Sequence, residues 1–176
     1  MTSTTPATTP SNTPGGDDVT RGKRELLRHT VATLAYRAAK AVGGAPTEFA
    51  DLRVGDSTRT PVQIVAHLGD LFDWALALAE GHHRWHDSTP VPWHDEVARF
   101  FAALARFDAF LASDQALGRP AEQLFQGPVA DALTHVGQLT LLRRLGGAPV
   151  RAENYAKAEI VVGRVTTNQA APKVEF

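Results

Sequence analysis

An aspartate and a histidine, Asp131 and His135, stand four residues apart in an otherwise apolar segment. On an α-helix this spacing places both side chains on one face, one turn apart. The surrounding Val, Ala and Leu residues indicate that this helix is largely buried. Burying such groups without partners costs several kcal/mol. We therefore expect the carboxylate and the imidazole to share a metal ion or to form a hydrogen bond with each other.

His67 is the third candidate ligand. It follows Ile64 by three residues and precedes Leu71 by four, which places it on the apolar stripe of an earlier helix. If the two helices face each other, His67 could join Asp131 and His135. Two imidazoles and one carboxylate form a competent ligand set for divalent transition metals. Three protein ligands leave positions open for water or substrate, as in catalytic sites.

Gln138 follows His135 by three residues and therefore faces the same way. It could orient a bound water or substrate, or it could be an ordinary polar residue of a helical bundle. The ligand set itself also has a simpler interpretation, because buried Asp–His pairs occur without metal. Asp131 is moreover expected in the first turn of its helix, where a carboxylate is favoured in any case.

Three further histidines, His82, His83 and His86, follow the predicted end of the second helix. The negative end of a helix favours cationic imidazole at such positions. No carboxylate is placed to complete a rigid site, and metal sites usually need fixed ligands with supporting hydrogen bonds. We therefore attribute this cluster to the helix end rather than to metal binding.

Composition restricts the class of protein. The 176 residues carry a formal net charge of −1, and 43% are hydrophobic, which suits one domain with a substantial core. The near-zero charge argues against non-specific nucleic-acid binding, which needs a basic face. The chain has no cysteine, so disulfides and thiolate metal sites are excluded. No apolar run of about 20 residues and no signal pattern is evident. We expect a soluble cytoplasmic protein.

The hydrophobic pattern predicts an all-α protein, a four-helix bundle. Each predicted helix has an apolar stripe at helical spacing and a Gly, Pro or capping residue near its ends. The predicted helices are Thr20–Val42, Thr60–Glu80, Trp93–Ser113 and Gly127–Leu145. The second has the clearest start, with Thr60 at the N-cap, Pro61 at the first position and Gln63 completing a capping box. Pro128 is expected at the first position of the fourth.

The remaining segments divide the chain into three regions. Residues 1–18 are rich in Thr, Pro, Ser and Gly and are predicted to be a disordered tail. Residues 19–165 form the predicted bundle with a C-terminal extension, in which residues 153–162 are a candidate short helix. Residues 166–176 are expected to be irregular.

Smaller expectations concern single side chains. Tyr36 lies off the apolar stripe of the first helix and is expected at a solvated rim. Phe49, Leu52 and Val54 are expected to pack the loop of residues 45–59 against the bundle. Residues 121–126 are a candidate helical turn.

Several of these segments together resemble the DinB superfamily of bacterial four-helix-bundle proteins. The spacing between His67 and His135 fits that family, and the resemblance covers most of the chain after residue 20. The matching stretches are Thr60–Leu68, His135–Leu139, Leu142–Arg144 with the stop at Gly146 and Gly147, and Glu153–Ala156.

The resemblance implies a metal site and a chemistry. In that family three histidines usually hold the metal, one on the second helix and two, four residues apart, on the fourth. The matching positions are His67, Asp131 and His135, so aspartate replaces the middle histidine. This implies a two-histidine, one-carboxylate site, a different metal, weaker binding or a lost site. Family members are often homodimers, and some are S-transferases or isomerases that use a low-molecular-weight thiol. The family name implies no DNA chemistry.

These features predict a DinB-like, metal-dependent enzyme. A divalent ion (zinc, nickel, iron or manganese) at His67, Asp131 and His135 would activate water or a thiol, so hydrolysis and thiol transfer of a small-molecule substrate both stay open. Gln138 and Tyr155 are the candidate catalytic residues, with Tyr155 carried by the C-terminal extension. The alternative is a non-catalytic bundle that binds a ligand or dimerises and has lost the metal. A nucleic-acid binder is disfavoured by the charge.

Overall fold

A computed structural model describes residues 14–176, with side chains from Asp18 onwards. Over this range the chain is mostly helical, and the only β-type pairing is an isolated bridge between Glu153 and Glu175. The predicted all-α class is confirmed. The helices are α1 (Pro14–Val42), α2 (Pro61–Ala79), α3 (Trp93–Ala112), α4 (Ala121–Leu124) and α5 (Ala130–Leu145), with a π-helical turn, Phe125–Val129, joining the last two.

Helix α1 begins at Pro14, earlier than the predicted start at Thr20. Most of the predicted disordered tail, residues 1–13, lies outside the described residues. Residues 14–18 of that tail belong to α1 instead.

The long helices pack in a ring, so that each one contacts two neighbours. Helix α2 packs on α3 and α5, and α1 packs on the same two helices from the other side. Large apolar side chains that are almost completely inaccessible fill the centre: Leu34, Leu68, Phe72, Phe100, Phe107 and Leu139. This order makes α2 and α5 neighbours, and they are the two helices that carry the candidate ligands.

The start of α2 follows the prediction closely. The Thr60 side chain accepts a hydrogen bond from the Gln63 backbone, and the Gln63 side chain accepts one from the Thr60 backbone. Pro61 occupies the first helical position, where the missing N–H leaves no bond unmade. The helix ends at Ala79, and Gly81 takes a positive φ of 89°. The capping box therefore fixes where α2 begins and which residues face the core.

The fourth helix departs from the prediction at its start. Pro128 lies inside a continuous helical run from Ala121 to Leu145, rather than at its first position. A proline inside an α-helix has no N–H to donate and clashes with the carbonyl four residues before it. The chain widens here into a π turn, in which the Ala130 N–H reaches the carbonyl of Phe125, five residues back. Proline at this site thus marks a change of helical pitch.

A buried arginine ties the end of α5 to the end of α1. The Arg143 guanidinium donates to the carbonyls of Ala41 and Gly43, at 3.0 and 2.9 Å, and its Nε donates to Ala148. These acceptors include the otherwise unpaired carbonyls at the end of α1, where the helix dipole favours a cation. The contact holds the C-terminal end of α5 against the C-terminal end of α1.

The C-terminal segment is extended rather than helical. The predicted helix over residues 153–162 is wrong, since only Tyr155–Lys157 forms a short 3-10 turn. Glu153 instead inserts its carboxylate between the Tyr36 hydroxyl and the Lys40 ammonium of α1, each at 2.8 Å. Tyr36 is consequently buried, which corrects its predicted rim position. Burial and the Glu153 hydrogen bond raise the pKa of the Tyr36 hydroxyl, so it remains a donor.

The loop between α1 and α2 agrees with the prediction only in part. Phe49 is buried in a 3-10 turn, Thr47–Asp51, and Leu52 packs against the core. Val54 does not pack in, because 48% of its surface is exposed. It lies instead at the edge of a cavity described below.

Helix α2 is long and apolar enough to cross a membrane by length and composition, with a mean hydropathy of 1.3 over its 18-residue window. The expectation that no segment reaches this limit is therefore wrong. Two thirds of that window (67%) is buried inside the protein, where it packs on α3 and α5. Core helices of water-soluble bundles pass the same test, so this is weak evidence for a membrane span.

We expect Glu153→Ala to lower the free energy of unfolding by about 3 kcal/mol, because it leaves a buried hydroxyl and a largely buried ammonium without their shared acceptor. Urea denaturation measures this. Glu175→Ala is the matched control, since Glu175 also pairs with Lys40 but is more exposed, and it should cost less than about 1 kcal/mol. Equal losses in the two variants would contradict this account of the tail.

Candidate metal centre

The three predicted ligands come together between α2 and α5. His67 Nε2 lies 3.5 Å from one carboxylate oxygen of Asp131, and His135 Nδ1 lies 3.2 Å from the other. One donor atom from each residue falls within 4.8 Å of the other two. Among the described residues no other group of three histidine, aspartate or glutamate side chains is placed to hold an ion. The predicted facing of the two helices is therefore correct at this point.

The spacing suits a single small divalent ion. Two donors bound to one tetrahedral ion at 2.0–2.1 Å lie about 3.3 Å apart. The two nitrogen–oxygen separations, 3.2 and 3.5 Å, are close to that value, and they run to different oxygens of the Asp131 carboxylate. The two imidazole rings are tilted by 57° to each other, with centroids 4.6 Å apart. Two imidazole nitrogens and one carboxylate oxygen also match the preferences of zinc, nickel, iron and manganese.

One contact competes with metal binding. His135 Nδ1 lies 2.9 Å from the backbone carbonyl oxygen of Asp131, one turn earlier in α5. A protonated Nδ1 would donate to that carbonyl and could not ligate, whereas a deprotonated Nδ1 is free for an ion. The protonation state of this nitrogen therefore decides between a metal centre and a hydrogen-bonded pair.

The two histidines are mostly buried, while the carboxylate faces the opening of the site. Side-chain exposures are 16% for His67, 12% for His135 and 45% for Asp131. Burial is the largest cause that lowers the pKa of His67, and the positive charge of Arg59 and the neighbouring His135 lower it further. Asp131 acts in the opposite direction but does not reverse the shift. The lowered pKa favours the neutral form of His67, which a metal ligand requires.

An indole closes one side of the site. The Trp85 ring meets His67 edge to face, with centroids 5.7 Å apart, and Trp74 packs against Trp85 in the same manner at 5.8 Å. Trp85 lies on the loop between α2 and α3. It therefore contributes to the burial that keeps His67 neutral.

Two buried carboxylates hold the Trp85 loop in place. Asp70 of α2 accepts from the Ser88 backbone at 2.9 Å and from the Ser88 hydroxyl at 2.6 Å. Glu96 of α3 accepts from the Val91 backbone at 2.9 Å. Arg99 pairs with both carboxylates, at 3.0 Å to Asp70 and 2.9 Å to Glu96. The loop is thus pinned at two points beyond Trp85.

Gln138 and His135 both line a cavity of about 460 Å³ beside the C-terminal half of α5. Tyr155 lies elsewhere. Its ring packs on Tyr36, and the Arg37 guanidinium lies 3.9 Å from the ring centroid, so its described contacts are with α1.

The histidines after α2 make separate contacts. His83 packs edge-on against Trp74, at 6.0 Å between centroids, and His86 Nδ1 lies 3.2 Å from the Ser88 hydroxyl. Their aromatic and hydroxyl neighbours account for these two positions without an ion.

Sequence reasoning missed Trp85, Arg59 and the carboxylates that hold the loop. Asp70 follows His67 by three residues on an apolar helix, so its position is a signal that a buried polar network was needed. Trp85 and Arg59 stand in loops, where no periodicity indicates their direction.

Comparison of the chain with protein-family models, with characterised proteins and with solved structures found no match. The resemblance to the DinB superfamily consequently rests on the residues and motifs alone.

We expect the pH dependence of stability to include a contribution from His67 in metal-free protein. Because the pKa of His67 is lowered on folding, the unfolded chain takes up the proton first as the pH falls. The contribution should therefore be constant above about pH 6.5, the ordinary histidine value, and stability should be lost as the pH falls through the pKa of the folded state.

The measurement is urea denaturation between pH 5 and 8 in the presence of a chelator. His67→Gln should show a shallower loss of stability below pH 6.5 than the unmodified chain. His29→Gln changes an exposed histidine of α1 and serves as the control. Parallel pH profiles for His67→Gln and the unmodified chain would contradict the shift.

Proposed function

We propose that the protein is a DinB-like, metal-dependent enzyme whose divalent ion is held by His67, Asp131 and His135. The observation that carries this proposal is the convergence of the three donors, from two helices, to within 4.8 Å of one another. The resemblance of the two ligand-bearing helices to DinB motifs supports it, as does the neutral state of His67.

When bound, a divalent ion supplies Lewis acidity, which lowers the pKa of a coordinated water or thiol and polarises a carbonyl. The protein contributes the ligands of the ion and controls access to it. Three protein ligands leave room for one or two further groups. The half-exposed side of Asp131 is where such groups have access, while Trp85 covers the His67 side. This supports hydrolysis and thiol transfer equally.

Gln138 is the proposed positioning residue. It borders the cavity beside His135, and its amide can both donate and accept hydrogen bonds. It could therefore orient a substrate carbonyl or a water next to the ligand set. Tyr155 is retained as a weaker candidate, since its ring lies against α1.

A second candidate function is favoured by one observation, the 2.9 Å approach of His135 Nδ1 to the Asp131 carbonyl. If that nitrogen keeps its proton, Asp131 and the two histidines form a hydrogen-bonded cluster. The protein is then a non-catalytic bundle that binds a ligand or dimerises.

The remaining parts of the proposal follow the resemblance and the composition. They are a bacterial, cytoplasmic protein, a homodimer, and a small-molecule or low-molecular-weight thiol substrate. A formal net charge of −1 gives no support for a nucleic-acid partner.

The first test is the metal content of the purified, untagged protein by plasma mass spectrometry. We expect about one transition-metal ion per chain, and we expect His67→Ala and His135→Ala to lose it, because each removes one of only three ligands. His86→Ala removes a histidine near Trp85 but outside the ligand set and should retain the metal. A His135→Ala variant that keeps stoichiometric metal would show that the site is wrongly assigned.

The second test separates a metal centre from a hydrogen-bonded cluster. An ion that binds only the folded chain stabilises it by about 2.7 kcal/mol at a free concentration of 100 times Kd. We therefore expect a chelator to lower the melting temperature of the unmodified protein but not of Asp131→Ala. Asp131→His, which supplies a third imidazole, should retain the ion. Identical melting with and without chelator in all three proteins would favour the cluster.

A further inference from the structure

The cavity beside the candidate metal centre is lined by both apolar and polar side chains. Apolar side chains form most of its wall: Val54, Ile64, Leu141, Leu142 and Leu145. Three of them are unusually exposed for their size, at 48% for Val54, 55% for Leu141 and 57% for Leu145. Leaving large apolar groups together in solvent is unfavourable, and such clusters mark binding sites.

The rest of the lining is polar and includes one permanent cation. It consists of Thr58, Arg59, Gln138 and the candidate ligand His135. Within residues 18–176 the Arg59 guanidinium makes no described hydrogen bond or ion pair, and it is the only lysine or arginine among the residues that line the cavity. Arg59 also directly precedes Thr60, the N-cap of α2, where the helix dipole is positive. Two sources of positive potential therefore adjoin, and no carboxylate lines the cavity itself, although Asp131 contacts its lining residue His135.

We propose that this cavity binds the substrate, and that the substrate is a small organic carboxylate with an apolar body. The carboxylate pairs with Arg59, whose planar guanidinium can form two parallel hydrogen bonds to it. The apolar body lies against Leu141, Leu142 and Leu145, and the Gln138 amide lies beside His135 to contact the polar group that reacts.

The size and position of the cavity support a substrate of this kind. Its volume of about 460 Å³ falls within the range typical of small-molecule sites. Because His135 lines the cavity and also belongs to the ligand set, a bound molecule comes next to the candidate ion. The inference rests on the proposed function only in naming this molecule a substrate, and its binding can be measured without metal.

The test is isothermal titration calorimetry of metal-free, chelator-treated protein with octanoate and 4-phenylbutanoate, and with 1-octanol and 4-phenylbutan-1-ol as uncharged counterparts. We expect each acid to bind more tightly than its alcohol. Arg59→Gln should weaken binding of the acids by about tenfold and leave the alcohols unchanged, since it removes a charge-assisted contact. Hexanoate should bind more weakly than octanoate, by about fourfold for each methylene of the ligand that no longer packs on the apolar wall.

Arg144→Gln is the matched control. Arg144 is an exposed arginine on α5 that does not line the cavity, and this variant should bind all probes as the unmodified chain does. Circular dichroism of both variants confirms that they are folded. Equal affinity of acids and alcohols, no binding of either acid at millimolar concentration, or acid binding that is unaffected by Arg59→Gln would each overturn the inference.

The metal experiment and the ligand experiment test separate claims, so one result can be negative while the other is positive. Acid binding that depends on Arg59 in a protein that retains no metal would disprove the proposed enzyme but keep the ligand assignment. Stoichiometric metal without such binding would keep the proposed enzyme and remove the carboxylate substrate.

Discussion

Polar side chains that enter the interface between α2 and α5 must find their partners inside that interface. One carboxylate, Asp131, meets this demand for two imidazoles at once, with one oxygen toward each. Among the described residues it is the only anion within ion-pairing distance of His67 or His135. This shared contact joins α2 to α5, although Asp131 by itself raises the pKa of His67 and burial is what lowers it. A metal ion and a proton compete for the nitrogen of His135 in this arrangement. An ion would join the three donors by coordination, and a proton would join them by hydrogen bonds.

Guanidinium groups make most of the connections between one part of the bundle and the next. Arg24 donates to the carbonyls at the end of α3, Arg143 to those at the end of α1, and Arg99 to the Ala66 carbonyl of α2. Each ties a chain segment to a helix that is distant in sequence. Arg24 and Arg143 use carbonyls at helix ends, which the helices leave unpaired, whereas Ala66 lies inside α2. The guanidinium of Arg59 has no such described acceptor and lies at the cavity and at the positive end of α2.

The helix periodicity and the capping box predicted α2 and α3, because these features depend on neighbours within a few residues. The approach of His67 to Asp131 and His135 joins residues distant in sequence, and it was expected from the bundle arrangement and the family resemblance instead. The errors share a cause in distant contacts. Residues around Tyr155 have an apolar content that suits a helix, yet Glu153 pairs with Tyr36, 117 residues away, and holds the segment extended. Tyr36 is buried for the same reason. Pro128 has the same local pattern at a helix start and in a π turn, and only the preceding helix, α4, distinguishes them. Nothing in the sequence around Trp85 indicates that it covers His67.

The π turn at Phe125–Val129 determines the direction, about the helix axis, in which the side chains of α5 point. One additional residue in a turn rotates the downstream part by about 100° relative to an uninterrupted α-helix. Asp131 and His135 follow this turn closely in the sequence. The direction in which their side chains point therefore depends on the rotation that the turn introduces. The π turn thus rotates α5 so that Asp131 and His135 face α2. The same rotation leaves Leu139 in the core, although the sequence of α5 has no strong apolar stripe.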